Sequence, residues 1–205
     1  MAEKLADALS TLARSTQHVI VGDTDHGHNS IPRALSQPAV VDGLAQAGVK
    51  HLFLEIPAKL QPHLDMRNDG LATPASFAKV MMELEPRSMR DERSWQALGE
   101  LSQRAAQQHG IKVYAADERA DHVSDFIEAT RRGTGIAHPD FETVANYMKR
   151  VQPVMQGDGS IESPLLSDEP LARFIRQKAG HEKSVIVFGE AHGGRPYDLD
   201  EMLGD

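Results

Sequence analysis

The run His18-Val-Ile-Val-Gly-Asp-Thr-Asp-His-Gly-His28 decides the fold, and Ser184-Val-Ile-Val-Phe-Gly-Glu-Ala-His192 repeats its logic near the other end of the chain. Each is a short, unbroken apolar stretch that stops at glycine, carboxylate and histidine. A strand covered on both faces loses the alternation of apolar and polar residues, so continuous runs of Val, Ile, Leu and Phe mark buried strands of a parallel sheet. Val19 to Asp23, His51 to Ile56, Ile111 to Ala116 and Ser184 to Gly189 all have this character.

Working outward, the spacing of Ile31, Leu35, Val40, Val41, Leu44 and Ala45 predicts a helix over Ile31 to Gly48, closed by a glycine. Ser76 to Leu84 and Ser94 to His109 read as two more helices, the second ending at Gly110 just before the third strand. Asp121 to Arg132, Asp140 to Val151 and Asp168 to Ala179 follow as helices, with Gly157-Asp-Gly-Ser160 as a loop. Strand, helix, strand makes a right-handed crossover. The expectation is one α/β domain over residues 1–205, with a mainly parallel central sheet flanked by helices and a helical insertion at about 119–180, before the last strand.

At 205 residues the chain suits one core of ordinary size, and its 40% hydrophobic and 25% charged composition is that of a globular protein. No apolar stretch approaches the roughly 18 residues that span a bilayer. The start, Met-Ala-Glu-Lys-Leu-Ala-Asp-Ala-Leu9, has helical spacing and reads as a first helix rather than a signal peptide. A net charge of −8 argues against a general affinity for nucleic acid or anionic lipid. Cysteine is absent, which excludes disulfides, thiolate catalysis and thiolate metal sites; any metal would be held by histidine and carboxylate.

In open α/β sheets ligands gather at the carboxyl ends of the strands, and there the chain places its chemistry. Asp23 follows the first strand and His26 lies three residues on, so that a turn lets the carboxylate orient an imidazole that titrates near neutrality. Asp25 and His28 add further polar groups to that loop. The structural alternative is that Asp23 or Asp25 caps the helix starting near Ser30. Glu55 sits among apolar neighbours, where a charge must be paired; it either faces His26 from the next strand or makes an ion pair with Arg33 or Lys59. Glu190 and His192 follow the last strand among glycines that permit close backbone approach. Asp117 and Arg119 close the third strand, as substrate contacts or as a helix cap with a local ion pair.

The candidate catalytic set is therefore His26, Asp23, Glu55, His192 and Glu190, with Arg33, Asp117, Arg119 and His28 as candidate substrate contacts. His26, Glu55 and His192 also suit a divalent metal, Mn²⁺, Co²⁺ or Zn²⁺, with positions left for water. A metal-free route, in which His26 activates water, uses the same residues. No nucleophile elbow, Walker loop or Rossmann glycine motif is present.

This pattern resembles the broad superfamily that joins the erythromycin esterases, the Tiki and TraB proteins and the haem-binding ChaN lipoproteins. The residues that carry the resemblance are Gly22-Asp-Thr-Asp-His26-Gly27, then Glu55, then Gly189-Glu-Ala-His192-Gly193. It implies His26 as general base, Asp23 and Glu55 as its acidic companions and His192 as the late histidine. Asp stands at 23 where the esterases carry Glu, and the late loop holds Glu190 and His192 in place of a double-histidine loop. The implied activity is a hydrolase that cleaves an ester, amide or related bond in a small-molecule or peptide substrate. Two alternatives of other classes stand beside it: a haem- or metal-binding protein without turnover, with Tyr114, Tyr147 or Tyr197 as haem ligands, and an effector or interaction module.

Overall fold

The computed structural model describes residues 2–23, 30–85, 90–117, 130–132, 134–137, 143, 154–155, 161–162, 168–189 and 199–204. Along the chain run α1 (Ala2–Ser15), β1 (His18–Asp23), α2 (Ser30–Leu35), α3 (Pro38–Gln46), β2 (Val49–Pro57), a 3-10 turn (Ala58–Leu60) and α4 (Gln61–Asn68). Then come α5 (Pro74–Leu84), α6 (Glu92–His109), β3 (Lys112–Asp117), the short strands β4 (Val154–Met155) and β5 (Ile161–Glu162), α7 (Glu169–Ala179), β6 (Lys183–Gly189) and α8 (Leu199–Leu203).

The four long strands form one parallel sheet in the order β1-β6-β2-β3. All four apolar runs are strands and the sheet is flanked by helices on both faces, so the α/β architecture read from the sequence is what the chain forms. Strand alternation sorts the core into two layers. Val19, Leu52, Leu54, Val113, Ala115, Val185 and Val187 join the helical layer that contains Leu44, Phe77, Trp95 and Leu98. Phe53, Ala116, Ile186 and Phe188 face the other way, against Leu171, Ala172, Ile175 and Leu199 of α7 and α8.

The order corrects one picture. Glu55 was expected to face His26 from the next strand, but β6 lies between β1 and β2, so the last strand ends in the middle of the site edge. A second correction concerns the helix over Ile31 to Gly48, which forms as two, α2 and α3. Pro38 has no amide to donate and pushes the residue before it toward extended backbone; Gln37 has φ −63° and ψ 137°, and α3 starts afresh at the proline. Gly48, at φ 90°, still makes the turn into β2.

The span expected to be a helical insertion contains an antiparallel pair, β4 with β5, which periodicity did not reveal. Residues 130–132 are helical; the rest of the helix expected over Asp121 to Arg132, the loop at Gly157 to Ser160 and nearly all of the helix over Asp140 to Val151 lie outside the described residues. The 3-10 turn, α4 and α8 were likewise not anticipated. Among the described residues no helix is long and apolar enough to cross a membrane.

At the β3 edge of the sheet, Gln61 occupies the position of a neighbouring strand. Its Nε2 donates to the Val113 carbonyl (3.2 Å) and its Oε1 accepts from the Ala115 amide (2.7 Å), while Asp65 Oδ1 fixes the carboxamide through a 2.7 Å bond. At the other side of the molecule α1 crosses α3 so closely that a Cβ on Gly43 would overlap Ser10 Oγ.

Candidate functional site

Asp23 is the last residue of β1 and is 1% exposed. Glu55 lies near the end of β2, where the register with β3 slips: Leu54 pairs with Ala115 and Pro57 with Asp117, so Glu55 and Ile56 together oppose Ala116. A bulge of this kind re-aims a side chain at a sheet edge. The β2–β6 ladder stops at Leu54 and Val187. Just beyond it the Glu55 carboxylate takes over the pairing and accepts the Gly189 N–H through Oε2 (3.1 Å).

The residue that joins these groups is Arg90, buried at 8% exposure immediately before the N-cap of α6. Its Nη1 donates to Asp23 Oδ2 at 2.6 Å and its Nη2 donates to Glu55 Oε2 at 3.4 Å. A buried carboxylate is tolerable only when paired, and one guanidinium serves both because its nitrogens form a planar fork. Asp91 holds Arg90 in register: it caps α6 by accepting from the Ser94 amide at 2.7 Å. That hydrogen bond is the leading reason the Asp91 carboxyl titrates below its usual range.

Three strand ends thus meet in one ionic centre made of Asp23 from β1, Glu55 from β2 and the Gly189 amide from β6, with Arg90 between the acids. Asp117 ends β3 in the next register position, opposite Pro57. Of the remaining candidates, Arg33 is exposed on α2 and does not pair with Glu55; Lys59 is engaged by Glu85 at 3.2 Å. Both partners proposed for Glu55 are replaced by Arg90. Asp23, proposed as a helix cap, is bound to Arg90. His26, His28, Asp25, Arg119, Glu190 and His192 lie outside the described residues, as do two of the three metal candidates. Among the described residues no group of three or more histidines and carboxylates is arranged to hold a metal ion.

Tyr114, the one described tyrosine, lies inside an aromatic stack with Phe53 (5.0 Å between centroids) and His51 (5.8 Å) and meets Phe174 edge-on. Burial is the first cause pushing its hydroxyl above the ordinary value, with the nearby Glu182 charge adding to it. Its place in the layer under α7 is a packing role rather than a haem ligand at the strand ends.

At the opposite end of the sheet histidine meets acid. His18 Nδ1 and Ser184 Oγ are 2.8 Å apart, and His51 Nε2 lies 2.7 Å from Glu182 Oε2. His18, Ser184 and His51 occupy adjacent register positions on β1, β6 and β2. Ser184 is 1% exposed and His51 fully buried, so this row is closed to a substrate.

Fold and site define a parallel α/β domain with an arginine-bridged pair of carboxylates at the carboxyl edge of its sheet. No family model matches the chain, and no curated protein matches it. Among solved structures the chain is similar to the one described as that of the type III effector HopBA1, with a TM-score of 0.58 and 20% identity over 92% of this chain and 73% of that one. At that identity the likeness shows a shared fold.

Proposed function

We propose that this protein is an effector-type module that acts inside a cell other than the one that makes it. The observation that carries the reading is the fold shared with an effector along nearly the whole chain. The test is inducible expression of the chain in eukaryotic cells, with growth and viability followed at matched protein levels. The expected outcome is a clear defect with the natural sequence; cells that grow normally at high levels of the folded protein would sink the proposal.

A second reading concerns how such a module works, and the bulge at Glu55 favours it. Glu55 is the described acid of the centre that keeps partial contact with solvent, its side chain being 18% exposed, while Asp23 is closed off at 0%. We infer a hydrolytic site in which Glu55 faces the substrate, Arg90 and the Gly189 amide fix its position, and His26, three residues beyond Asp23 in sequence, activates water. Divalent metal at His26, Glu55 and His192 is the variant of this route that the resemblance to esterases and Tiki proteins suggests. Glu55→Gln keeps the size of the side chain and removes its charge. Against a panel of ester and amide substrates it is expected to lower turnover by about a hundredfold or more, the usual scale for a positioned acid or base. Equal turnover in E55Q and the natural protein would remove Glu55 from the chemistry.

A further inference from the structure

The two edges of the sheet are finished differently. At β3 the Gln61 carboxamide fills the edge by bonding Val113 and Ala115. β1 has β6 on one side and, among the described residues, no strand on the other. Its residues Ile20, Val21 and Gly22 keep partial contact with solvent, whereas Ile186, Val187 and Phe188, which pair with them, are closed off. Charge, proline or a bulge commonly blunts such an edge. β1 has none of these across Val19 to Gly22, and it runs beside β6 in unbroken register.

A second apolar feature lies along the same side. α1 meets β1 and β6, and α3 meets α1 and β2, so α3 is inboard of α1 and the opposite flank of α1 looks out past β1. Helical spacing turns Ala6 and Ser10 toward Gly43 of α3, and Asp7 and Arg14 line the hollow between these two helices. Leu5, Ala8, Leu12 and Ser15 therefore come up on the outer flank. All four are uncharged, and Leu12 is 50% exposed. An uncharged helix flank and an unblunted strand edge together make one continuous strip.

The dimensions of this strip fit a second copy of it. α1 has 14 residues and β1 has six, joined by Thr16 and Gln17. At about 1.5 Å per helical residue and about 3.3 Å per strand residue the two elements are equally long, about 20 Å. Ala8 and Leu9 thus stand level with Ile20 and Val21. A two-fold axis normal to the sheet sets β1 antiparallel to β1, keeps both α1 helices on one face, and brings Leu5 of one copy beside Leu12 of the other. With strands about 4.8 Å apart and α1 over the gap between β1 and β6, the two helix axes come about 9.6 Å apart, within the packing range of roughly 8–10 Å. Copies of a chain with net charge −8 repel each other in general; along this strip no like charges are set face to face. A lone foreign strand would fill the edge and leave Leu12 in water.

We propose that the chain forms a two-fold dimer through the β1 edge and the outer flank of α1, doubling its four-stranded sheet. Because the Gln61 carboxamide occupies the other edge, pairing at β1 closes at two copies. The proposal does not depend on any hydrolytic activity.

Sedimentation of the full chain over a concentration series is expected to show a species of twice the 22.5 kDa chain mass. Leu12→Glu changes an exposed position and is expected to weaken that dimer about tenfold or more, as loss of an interface anchor does, with the melting temperature of the monomer unchanged. The chain has no cysteine, so an introduced thiol reports position cleanly. Ala8→Cys is expected to cross-link between copies under mild oxidation, and Asp7→Cys, on the α3 side, to stay uncross-linked. Hydrogen exchange is expected to slow in Val19 to Gly22 as concentration rises. A monomer at every soluble concentration overturns the proposal, as does a dimer that survives Leu12→Glu or cross-links through Asp7→Cys instead of Ala8→Cys. A dimer whose Val19 to Gly22 amides exchange as fast as those of the monomer also overturns it.

Discussion

The two ends of the parallel sheet use the same side-chain chemistry to different effect. At the amino end His51 meets Glu182, and the acid is 56% exposed while the imidazole is buried. At the carboxyl end Arg90 meets Asp23 and Glu55, and all three side chains are largely or wholly out of water. An exposed partner is rehydrated when its pair is broken; a buried one is not. Histidine beside a carboxylate therefore says little about function until strand direction and burial are known.

The largest effect expected from this contrast is that of Arg90→Met. It leaves two acids at the carboxyl end without their shared cation and should cost about 3–5 kcal/mol, the range for breaking a buried ion pair from one side. Urea unfolding measures it. A loss below about 1 kcal/mol would place the two ends on the same footing. Arg90→Lys keeps the charge but not the fork, so it is expected to fall between the two proteins.

At the amino end His51→Phe should cost about 1 kcal/mol or less, since Glu182 regains water and the new ring can still stack on Phe53 and Tyr114. A loss as large as that of Arg90→Met would break the comparison.

The smallest effect depends on pH. Glu182 titrates below its usual value of 4.5, first because of its hydrogen bond to His51, with burial opposing and the charges of His51, Lys112 and Lys50 assisting. A carboxyl whose folded value is depressed stabilises the fold fully above its unfolded value and loses that contribution as pH falls through the folded one. The gap in unfolding midpoint between the natural chain and Glu182→Gln is thus expected to be constant near neutrality and to close below about pH 4.5. A gap that widens on acidification would reverse the sign assigned here.

Much of the framework was legible because it follows from local pattern. Four apolar runs gave four strands, and Gly110, at φ 64°, ends α6 where its position predicted. Strand order was not legible: nothing local to Ser184–Gly189 says that it will slide between β1 and β2. Arg90 was hidden for a related reason. It stands in Glu85-Pro-Arg-Ser-Met-Arg-Asp-Glu-Arg93, which reads as a solvated charge run, and its partners lie 67 and 35 positions away in sequence. The signal that could have flagged it is its place just before Asp91 and Ser94, a cap that turns the preceding residue back toward the sheet. Pro38 was the one break that sequence alone allowed and the periodicity of its neighbours concealed.

The carboxamide of Gln61 carries a consequence for the protein's behaviour in a crowded cell. By satisfying Val113 and Ala115 it ends lateral growth of the sheet with two atoms of one side chain, where other folds spend a whole element. Replacing it with leucine would leave a peptide carbonyl and amide ready to recruit a foreign strand, and the first sign of that loss would be clumping of otherwise native molecules during concentration.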